Sequence, residues 1–559
     1  MSALKSPKLS PTKSDEELLD TGSSVQLLRP EGEPRPNQPK ILVITPEITY
    51  LPQSIVDNVY GTNQYDDVSN QHHVSYASKA GGLADVSASL VAALYDMGAD
   101  VHVALPFYRR LYHIDPEKLD HFEHRRAQLT THMPQERVHF AKDYIFNYRE
   151  RVYSGDPNRS VHISLAFQRE VINHTIPEIQ PDLIHCNDWM TGLIPAFARR
   201  MHIPSLFTVH NIHTQKTTME QIENAGIDAA FFWRNLYFER PPYSYEESRS
   251  SNRVDFLTSG IFASHFINTV SPTFLQEIVE GRHPFVPEYI RSEIANKYYA
   301  GVAFGILNAP DPEDNPETAP ALEFHYGIQD APEARRRNKV AFQQKVGLQV
   351  NPDAPLFFWP SRLDPVQKGP QLLSDILYNT IHRYWDRQVQ FAFVADGPYQ
   401  HVFRSIADQH HFHSLVAVLD FDKRLSQQGY AASDFVLMPS LYEPCGLPQM
   451  IGPIYGSLPI VHDTGGLHDT VEHLDLQNHT GNGFVFKIFD DAGLQWGIDE
   501  AMRFYALPAE VRNAEIARIM EQSKQRFNHR QTAQAYIDLY EKMLNRKLVD
   551  SIYDTPESN

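Results

Sequence analysis

The chain has 559 residues, more than a single hydrophobic core usually organises, so its length predicts more than one domain. Its formal net charge of −19 argues against a nucleic-acid partner, because proteins that bind nucleic acids favour basic surfaces. The two cysteines, Cys186 and Cys445, exclude a disulfide framework and a four-cysteine zinc site. No apolar run approaches the length of a membrane span.

The first 39 residues are rich in Pro, Ser, Lys, Asp and Glu and lack the apolar segment of a secretory signal. We interpret 1–39 as a disordered tail and expect a cytoplasmic protein. Order is predicted to begin with the strand ILVITPE, which ends in Glu47. The loop that follows, 48–78, is long, polar and without periodicity, and loops of this kind inside a compact domain are usually functional or mobile.

The next segment predicts a βαβ unit with a lysine at its phosphate end. Lys79 precedes a Gly-Gly pair, a helix with apolar residues at three- and four-residue spacing runs to Met97, and the strand DVHVALP follows. A Gly-rich turn at a helix start suits an anion, because the first helical N–H groups are unpaired. A simple helix cap explains the same glycines equally well.

Three more strands are predicted in the first half, VHISLAF, DLIHCND and IPSLFTVHN. The second of these ends in Asp188, and His210 and Asn211 end the third. Polar side chains at the ends of buried strands need partners, so they either stabilise a loop or face a ligand. A Pro-rich run up to Pro320 predicts an interdomain linker.

The second half predicts another alternation of strands and helices. The strand LFFWPSRLD carries Arg362, and Lys368 follows it before a new helix. Two cations after one strand suit a diphosphate, since arginine binds as a bidentate fork and lysine as a point charge. A surface ion pair would explain either residue alone. Two further strands, FAFVADG and LVAVLDFD, precede the segment around Phe421.

The stretch 433–471 carries the densest pattern. A buried strand, FVLMP, leads to a turn with Glu443, and a second strand, LPIV, leads to a Thr-Gly-Gly sequence and another helix. Open parallel sheets bind ligands outside the carboxyl ends of their strands, so the two loops predict one crevice. A carboxylate in that crevice suits a sugar or a cation. The alternative is that Glu443 caps a loop and the glycines only form turns.

The strings KAGGLADV, NDWMTGL, TVHN, GILN, SRLDPVQKG, EPCGL and TGGLHDTV occur in this order, and together they resemble the motifs of bacterial glycogen synthases and plant starch synthases. The resemblance spans Lys40 to about Leu548. It implies an α/β fold of the GT-B type, with two Rossmann-like domains facing across a central cleft. It also implies transfer of glucose from ADP-glucose to the non-reducing end of an α-1,4-glucan, with retention. The implied partners are a nucleotide sugar and a glucan, without cofactor, metal, nucleic acid or membrane.

The resemblance further implies roles for individual residues. It implies a catalytic set of Glu443, Arg362, Lys368, His210 and Asp188. It implies a donor-binding set of Lys79, Gly82, Arg362, Lys368, Phe421, Cys445, Gly446, Leu447, Thr464, Gly465 and Gly466, and an acceptor side with Asp85, Asp188 and Asn211. The chain departs from the family pattern at Ala80, Asn187, Met190 and Lys423, and the long loop separates Glu47 from Lys79.

The implied division of the chain is a tail at 1–39, a first domain at 40–308, a hinge at 309–331, a second domain at 332–525 and a final segment at 526–559, whose helix returns to the first domain. Three alternatives stay open. A glucan phosphorylase would share the architecture and need a lysine-bound pyridoxal phosphate. A transferase of the same fold could use UDP-glucose. A catalytically impaired homologue could bind glycans or regulate.

Overall fold

The computed structural model describes residues 38–48, 82–108, 135–147, 149 and 152–549. The predicted tail up to residue 37, the loop from residue 49 onward and Lys79 lie outside the described residues.

Within the described residues, the strands in chain order are β1 Lys40–Ile44, β2 Asp100–Pro106, β3 Val138–Ala141, β4 Leu183–Asn187, β5 Ser205–Val209, β6 Lys216–Thr218, β7 Arg253–Asp255, β8 Phe266–Thr269, β9 Ala303–Gly305, β10 Leu356–Trp359, β11 Gln390–Val394, β12 Val416–Leu419, β13 Phe435–Met438, β14 Leu458–His462 and β15 Phe484–Phe486. Many of them are continuous apolar runs such as ILVI, LFFW and FVLM, as expected of parallel strands buried on both faces.

The strands form two parallel sheets. The first has the order β3-β2-β1-β4-β5-β8-β9 and the second the order β12-β11-β10-β13-β14-β15, while β6 and β7 form a separate antiparallel pair. Counted within each sheet, both run 3-2-1-4-5-6, with one further edge strand in the first. This is the order of doubly wound dinucleotide-binding folds, so the predicted pair of Rossmann-like domains is confirmed.

The α-helices of the described residues cover the sheets. In chain order they are α1 Gly82–Asp96, α2 Tyr144–Asn147, α3 Pro157–Glu170, α4 Ile176–Ile179, α5 Ile194–Arg200, α6 Met219–Asn224, α7 Ala229–Phe232, α8 Tyr245–Ser251, α9 Phe256–Ala263, α10 Pro272–Val279, α11 Glu288–Tyr299, α12 Ala331–Val346, α13 Pro370–Arg383, α14 Gln400–Gln409, α15 Lys423–Ala432, α16 Pro448–Ile454, α17 Gly465–Thr470, α18 Asp491–Tyr505, α19 Ala509–Arg526 and α20 His529–Leu544. None of them is long and apolar enough to cross a lipid bilayer.

The segment VHISLAF is helical, although its apolar run predicts a strand. It lies in α3, where the Asp156 side chain accepts the N–H of Asn158 and Pro157 occupies the first turn. A short apolar run does not distinguish a buried helix from a strand. The cap and the proline favour a helix start at this point, and they decide the outcome.

The last helix, α20, packs into the core of the first sheet. Its residues Tyr536, Ile537 and Tyr540 belong to the same buried cluster as β1 and β4. The Tyr540 hydroxyl lies 2.7 Å from Nδ1 of His185 on β4, and Asn268 on β8 donates to the Tyr536 hydroxyl at 3.0 Å. The chain therefore returns to its first sheet after completing the second.

The strand order positions the candidate site. In a doubly wound sheet the connections leave in opposite directions from the first and fourth strands, and the crevice between their carboxyl ends is where ligands bind. In the first sheet, β1 and β4 lead into Glu47 and Asp188. In the second, β10 and β13 lead into Arg362 and Glu443. Both sheets thus place predicted site residues at their switch points.

Candidate active site

Asp188 is the centre of a polar cluster at the end of β4. Its carboxylate accepts the backbone N–H of His210 at 2.8 Å and the side-chain Nδ2 of Asn211 at 3.0 Å. Asp188 has a φ of 57°, which non-glycine residues rarely adopt and which clusters at functional sites. Burial, together with the nearby Glu47 carboxylate, raises the pKa of Asp188 to about 7. The predicted residues Asp188, His210 and Asn211 are therefore brought together.

Asn187, a departure from the family pattern, orients His210. The Asn187 amide donates to the Ile44 carbonyl at 3.2 Å, and its Oδ1 lies 2.9 Å from Nε2 of His210. Because Oδ1 only accepts, the His210 hydrogen lies on Nε2, and Nδ1 is left as an acceptor. Burial lowers the pKa of His210 to about 3, so the imidazole is neutral. Met190, the other departure near this motif, is buried.

Glu47 belongs to this cluster despite the long loop after it. The side chain is buried, and the Tyr153 hydroxyl donates to its Oε1 at 3.3 Å. Burial, and then the charges of Glu47 and Asp188, raise the pKa of Tyr153 well above its ordinary value, so the phenol stays protonated. Sequence reasoning missed Tyr153, because it lies 106 residues from Glu47 and in no motif.

The second cluster lies at the end of β13 and joins Glu443 to Lys368. The Lys368 Nζ is 2.5 Å from Oε2 of Glu443, and the Ser440 hydroxyl donates to the same oxygen at 3.1 Å. The side chains of Lys368 and Glu443 are both largely buried. Among the described residues, Oε1 of Glu443 accepts no hydrogen bond. One oxygen of the carboxylate is thus fixed by two donors.

Arg362 lies on the same loop as Lys368 but is far more exposed. Its side chain is 68% exposed, and within the part of the chain that the structure describes its polar contacts are long, 3.3 Å to Oε1 of Gln367 and 3.7 Å to Oδ2 of Asp364. The loop itself is held against β13 at Gly369, whose φ is +71° and where an added Cβ would lie 2.1 Å from the Pro439 carbonyl. The structure therefore pairs Lys368 with Glu443 and leaves the Arg362 guanidinium accessible.

The glycines of the Thr-Gly-Gly loop allow this loop to lie directly on the Glu443 turn. An added Cβ at Gly465 would lie 2.1 Å from the Glu443 carbonyl, and one at Gly466 would lie 2.0 Å from the Cys445 carbonyl. The Gly466 N–H donates to the Glu443 carbonyl at 2.9 Å. Gly446 within the turn has a φ of +75°, and the half-buried Leu447 precedes α16. Any side chain at Gly465 or Gly466 would collide with the backbone of the Glu443 turn, which is one physical reason why these positions are glycine.

A carboxylate from the first sheet's half occupies the start of α17. Glu277, on α10, accepts the Gly465 N–H at 3.1 Å and the Thr464 hydroxyl at 3.2 Å, and it lies 3.0 Å from Nε2 of His283. Burial favours a raised pKa for Glu277, but the hydrogen bonds from His283 and Gly465 outweigh it and lower the pKa. The donor-binding role of Thr464, Gly465 and Gly466 stays a prediction. In this arrangement Thr464 and Gly465 donate hydrogen bonds to Glu277, a carboxylate of the chain itself.

Of the residues near the predicted base site, Lys423 contacts the linker and Phe421 contacts the segment after β11. The Phe421 ring is exposed, and its backbone N–H donates to Asp396 at 3.0 Å. Lys423 lies 2.9 Å from Glu313 and 3.9 Å from Asp311, so its charge neutralises two linker carboxylates.

Asp85, on α1, lies toward the same linker. Burial and, to a smaller extent, Asp85 raise the pKa of Asp314. The acceptor-side role of Asp85 stays a prediction. Gly82 begins α1. Among the described residues, no three His, Cys, Asp or Glu side chains are grouped so as to hold a metal ion.

The sequence is similar to those of known glucan-building enzymes. Residues 73–285 match the family described as the starch synthase catalytic domain. The glycogen synthase of Exiguobacterium sibiricum is 34% identical over 74% of this chain and 86% of its own length. The glycogen synthase of Thermotoga maritima is 32% identical over 84% of this chain and 96% of its own.

Solved structures agree with these relatives. The catalytic domain of starch synthase IV from Arabidopsis thaliana, bound to ADP and acarbose, is 25% identical and superposes with a TM-score of 0.69, covering 91% of this chain and all of that one. A sucrose-phosphate synthase from Thermosynechococcus elongatus is 16% identical, with a TM-score of 0.53 over 91% of this chain and all of its own, and shares the fold alone.

Proposed function

Because this chain belongs to the family of glycogen and starch synthases, and is a glycosyltransferase, we propose that it transfers glucose from ADP-glucose to the non-reducing 4-hydroxyl of an α-1,4-glucan, with retention. The observation that carries the proposal is the buried contact between Lys368 and Glu443 at the switch point of the second sheet. It joins the cation expected to bind the leaving diphosphate to the carboxylate expected to support the sugar.

The chemistry follows from the charges that develop. When the bond between glucose and phosphate breaks, negative charge grows on the diphosphate and positive charge on the anomeric carbon. Lys368 and the accessible Arg362 would stabilise the diphosphate through preorganised electrostatics. Glu443 would hold sugar hydroxyls and stabilise the developing positive charge. Lys79 would act on the same leaving group from the first domain.

The first sheet's cluster would bind the transferred glucose and the acceptor. Asp188 and His210 supply oxygen and nitrogen acceptors for sugar hydroxyls, and Asn187 and Glu47 fix their surroundings. The departing phosphate could take the acceptor's proton, since the neutral His210 with its low pKa is a weak base.

The proposed preference for an adenine nucleotide rests on one observation, and a second is compatible with it. The starch synthase IV structure, a relative at 25% identity, is bound to ADP. The exposed Phe421 ring is available to stack on a base. Lys423 does not oppose this, because it is paired with Glu313.

The experiment is glucose incorporation into glycogen with ADP-glucose and UDP-glucose in parallel, at equal concentrations and with purified protein. We expect a higher kcat/KM with ADP-glucose. A higher value with UDP-glucose would refute the donor assignment while leaving the transferase reaction intact. Absence of incorporation from both donors, with glycogen still bound, would favour an impaired glycan-binding homologue.

A further inference from the structure

Five aromatic rings gather on the surface of the second domain, away from the cleft. Tyr378 and His382 lie on the last turns of α13, and Trp385 follows that helix. His410 and Phe412 join them from the end of α14. Because a helix rises about 1.5 Å per residue, the rings begin about 12 Å along α13 from the end that adjoins Lys368.

The rings form a continuous layer. The ring centroids of Tyr378 lie 4.3 Å from His382 and 4.4 Å from His410, and His382 stacks on Trp385 at 5.6 Å with 14° between the planes. Phe412 is buried beneath them. Trp385 is 55% exposed and Tyr378 is 41% exposed, and both histidines are exposed as well. We call Tyr378, His382, Trp385 and His410 the aromatic platform.

Packing does not explain the aromatic platform. Single exposed aromatic residues are common, but contiguous exposed apolar clusters mark interaction sites. A tryptophan and a tyrosine that only completed the core would be covered, as Phe412 is. The platform instead presents its rings to solvent.

The charges around the platform select for an uncharged ligand. Several side chains near it are paired within the protein, as Arg383 with Asp499 at 2.6 Å and Arg387 with Asp386 at 3.8 Å, and His413 lies 3.6 Å from Asp408. The net charge of −19 opposes a polyanion and a second copy of the same chain. Aromatic faces with polar ring edges match a pyranose, which has apolar C–H faces and a rim of hydroxyls.

We propose that the aromatic platform is a second glucan-binding site, which holds one part of the acceptor polymer while the non-reducing end lies in the cleft. The proposal rests on the glucan acceptor of the proposed function and not on the identity of the donor. When a polymer is bound at one site, its effective concentration at the second site is high. Even a platform with low intrinsic affinity therefore strengthens the binding of glycogen. A short acceptor that cannot span both places gains nothing.

The test is a double variant, Tyr378→Ala with Trp385→Ala, compared with Trp496→Ala. Trp496 is a matched control because it is 41% exposed, is stacked on His473, and lies outside the platform. Retardation in native gels that contain glycogen measures binding without any donor. Initial rates with glycogen and with maltotriose measure catalysis on long and short acceptors.

We expect the double variant to bind glycogen at least tenfold more weakly, since a second linked site can raise avidity by up to roughly 10²–10⁴-fold. The KM for glycogen should rise by the same factor, while kcat and the KM for maltotriose stay unchanged. Trp496→Ala should behave as wild type. A Tyr378→Phe, Trp385→Phe variant keeps the rings and should recover most of the binding.

Three results would overturn the proposal. Two of them are unchanged retardation of the double variant and an equal rise in its KM for maltotriose and for glycogen. The third is a molecular mass in light scattering without glucan that differs between the wild type and the double variant, which would show a protein interface. Melting curves of all variants exclude misfolding as the cause. If the wild type fails to transfer glucose from ADP-glucose but its retardation still depends on the platform, the donor assignment fails and the platform stands.

Discussion

At the scale of single residues, the candidate site consists of side chains whose positions are fixed by one or two neighbours. Glu443 is fixed by Lys368 and Ser440, and His210 by Asn187. Each contact involves a residue that is buried or nearly so, where an unpaired group costs most. Substitutions at these positions therefore separate catalytic from structural roles.

Glu443→Gln keeps the shape of the side chain and removes its charge. We expect kcat to fall about 10²–10³-fold, because a lost electrostatic contact to the transition state has this cost. The KM for the donor should change much less. Glu510→Gln, an exposed position on α19, is the control. Initial rates beside melting curves check the result, and an active but less stable Glu443→Gln would show that the residue only caps its loop.

Lys368→Ala and Arg362→Ala should both lower kcat but differ in stability. Removing Lys368 leaves the buried Glu443 carboxylate without its cation, and breaking a buried pair costs about 3 kcal/mol. Arg362 is mostly exposed, so its removal should leave the free energy of unfolding nearly unchanged. Urea unfolding of both variants measures this. Equal losses of stability would contradict the difference in burial.

Asp188→Asn should change stability in a pH-dependent way. The pKa of Asp188 is raised from its ordinary value to about 7. Between about pH 4 and 7 the folded protein therefore keeps a proton on Asp188 that the unfolded chain has already lost. The contribution of Asp188 to stability is therefore greatest at low pH and falls as the pH rises through 7. Relative to wild type, Asp188→Asn should be more stable at pH 8 than at pH 5. A difference that does not vary with pH would show that Asp188 does not titrate there.

At the scale of elements, the short helices α10 and α17 hold the halves of the molecule together. A carboxylate from each helix accepts hydrogen bonds at the N-terminus of the other. Asp469, on α17, accepts the Thr273 hydroxyl at 2.6 Å and its N–H at 3.2 Å at the start of α10, and it also binds the Ser271 hydroxyl. Glu277, on α10, accepts the first N–H of α17. Carboxylates at helix N-termini are favourable because the N–H groups there are unpaired.

Asp469→Ala should loosen this contact. We expect a loss of about 1–3 kcal/mol in the free energy of unfolding, because the buried hydroxyl of Ser271 and the first turn of α10 lose their acceptor. The control is Asp475→Ala, whose carboxylate serves only a surface turn. Urea unfolding measures the loss, and small-angle scattering should show a larger radius of gyration for Asp469→Ala. Indistinguishable variants would mean that the two helices do not bind the halves together.

Most elements are predictable because parallel strands are continuous apolar runs that end in turn residues, as β10 and β13 do. The segment in α3 escapes this rule, since its cap, Asp156, lies five residues before the apolar run. The partners in the site are harder to predict. Glu277 reaches Gly465 across 188 residues and Lys423 reaches Glu313 across 110, and neither pair shows any local spacing. Tertiary packing alone creates these contacts.

At the scale of the whole molecule, the proposed diphosphate site uses positive side chains in the role that a divalent cation has in other enzymes. Lys368 and Arg362 follow one strand of the second domain. We therefore expect a chelator such as EDTA to leave the turnover nearly unchanged. The measurement is the initial rate after dialysis against EDTA, with and without added magnesium. A loss that magnesium restores would show that side-chain cations do not suffice.

The return of α20 to the first sheet has a consequence for how the protein is made. The first core includes Tyr536, Ile537 and Tyr540 together with strands that leave the ribosome hundreds of residues earlier. Domains generally fold as they emerge during synthesis. Here the first half must wait, with the face that α20 later covers open to solvent, while the whole second half is translated. Nascent chains arrested before residue 529 should therefore expose this apolar face and depend on chaperones, whereas chains that have extruded α20 should not.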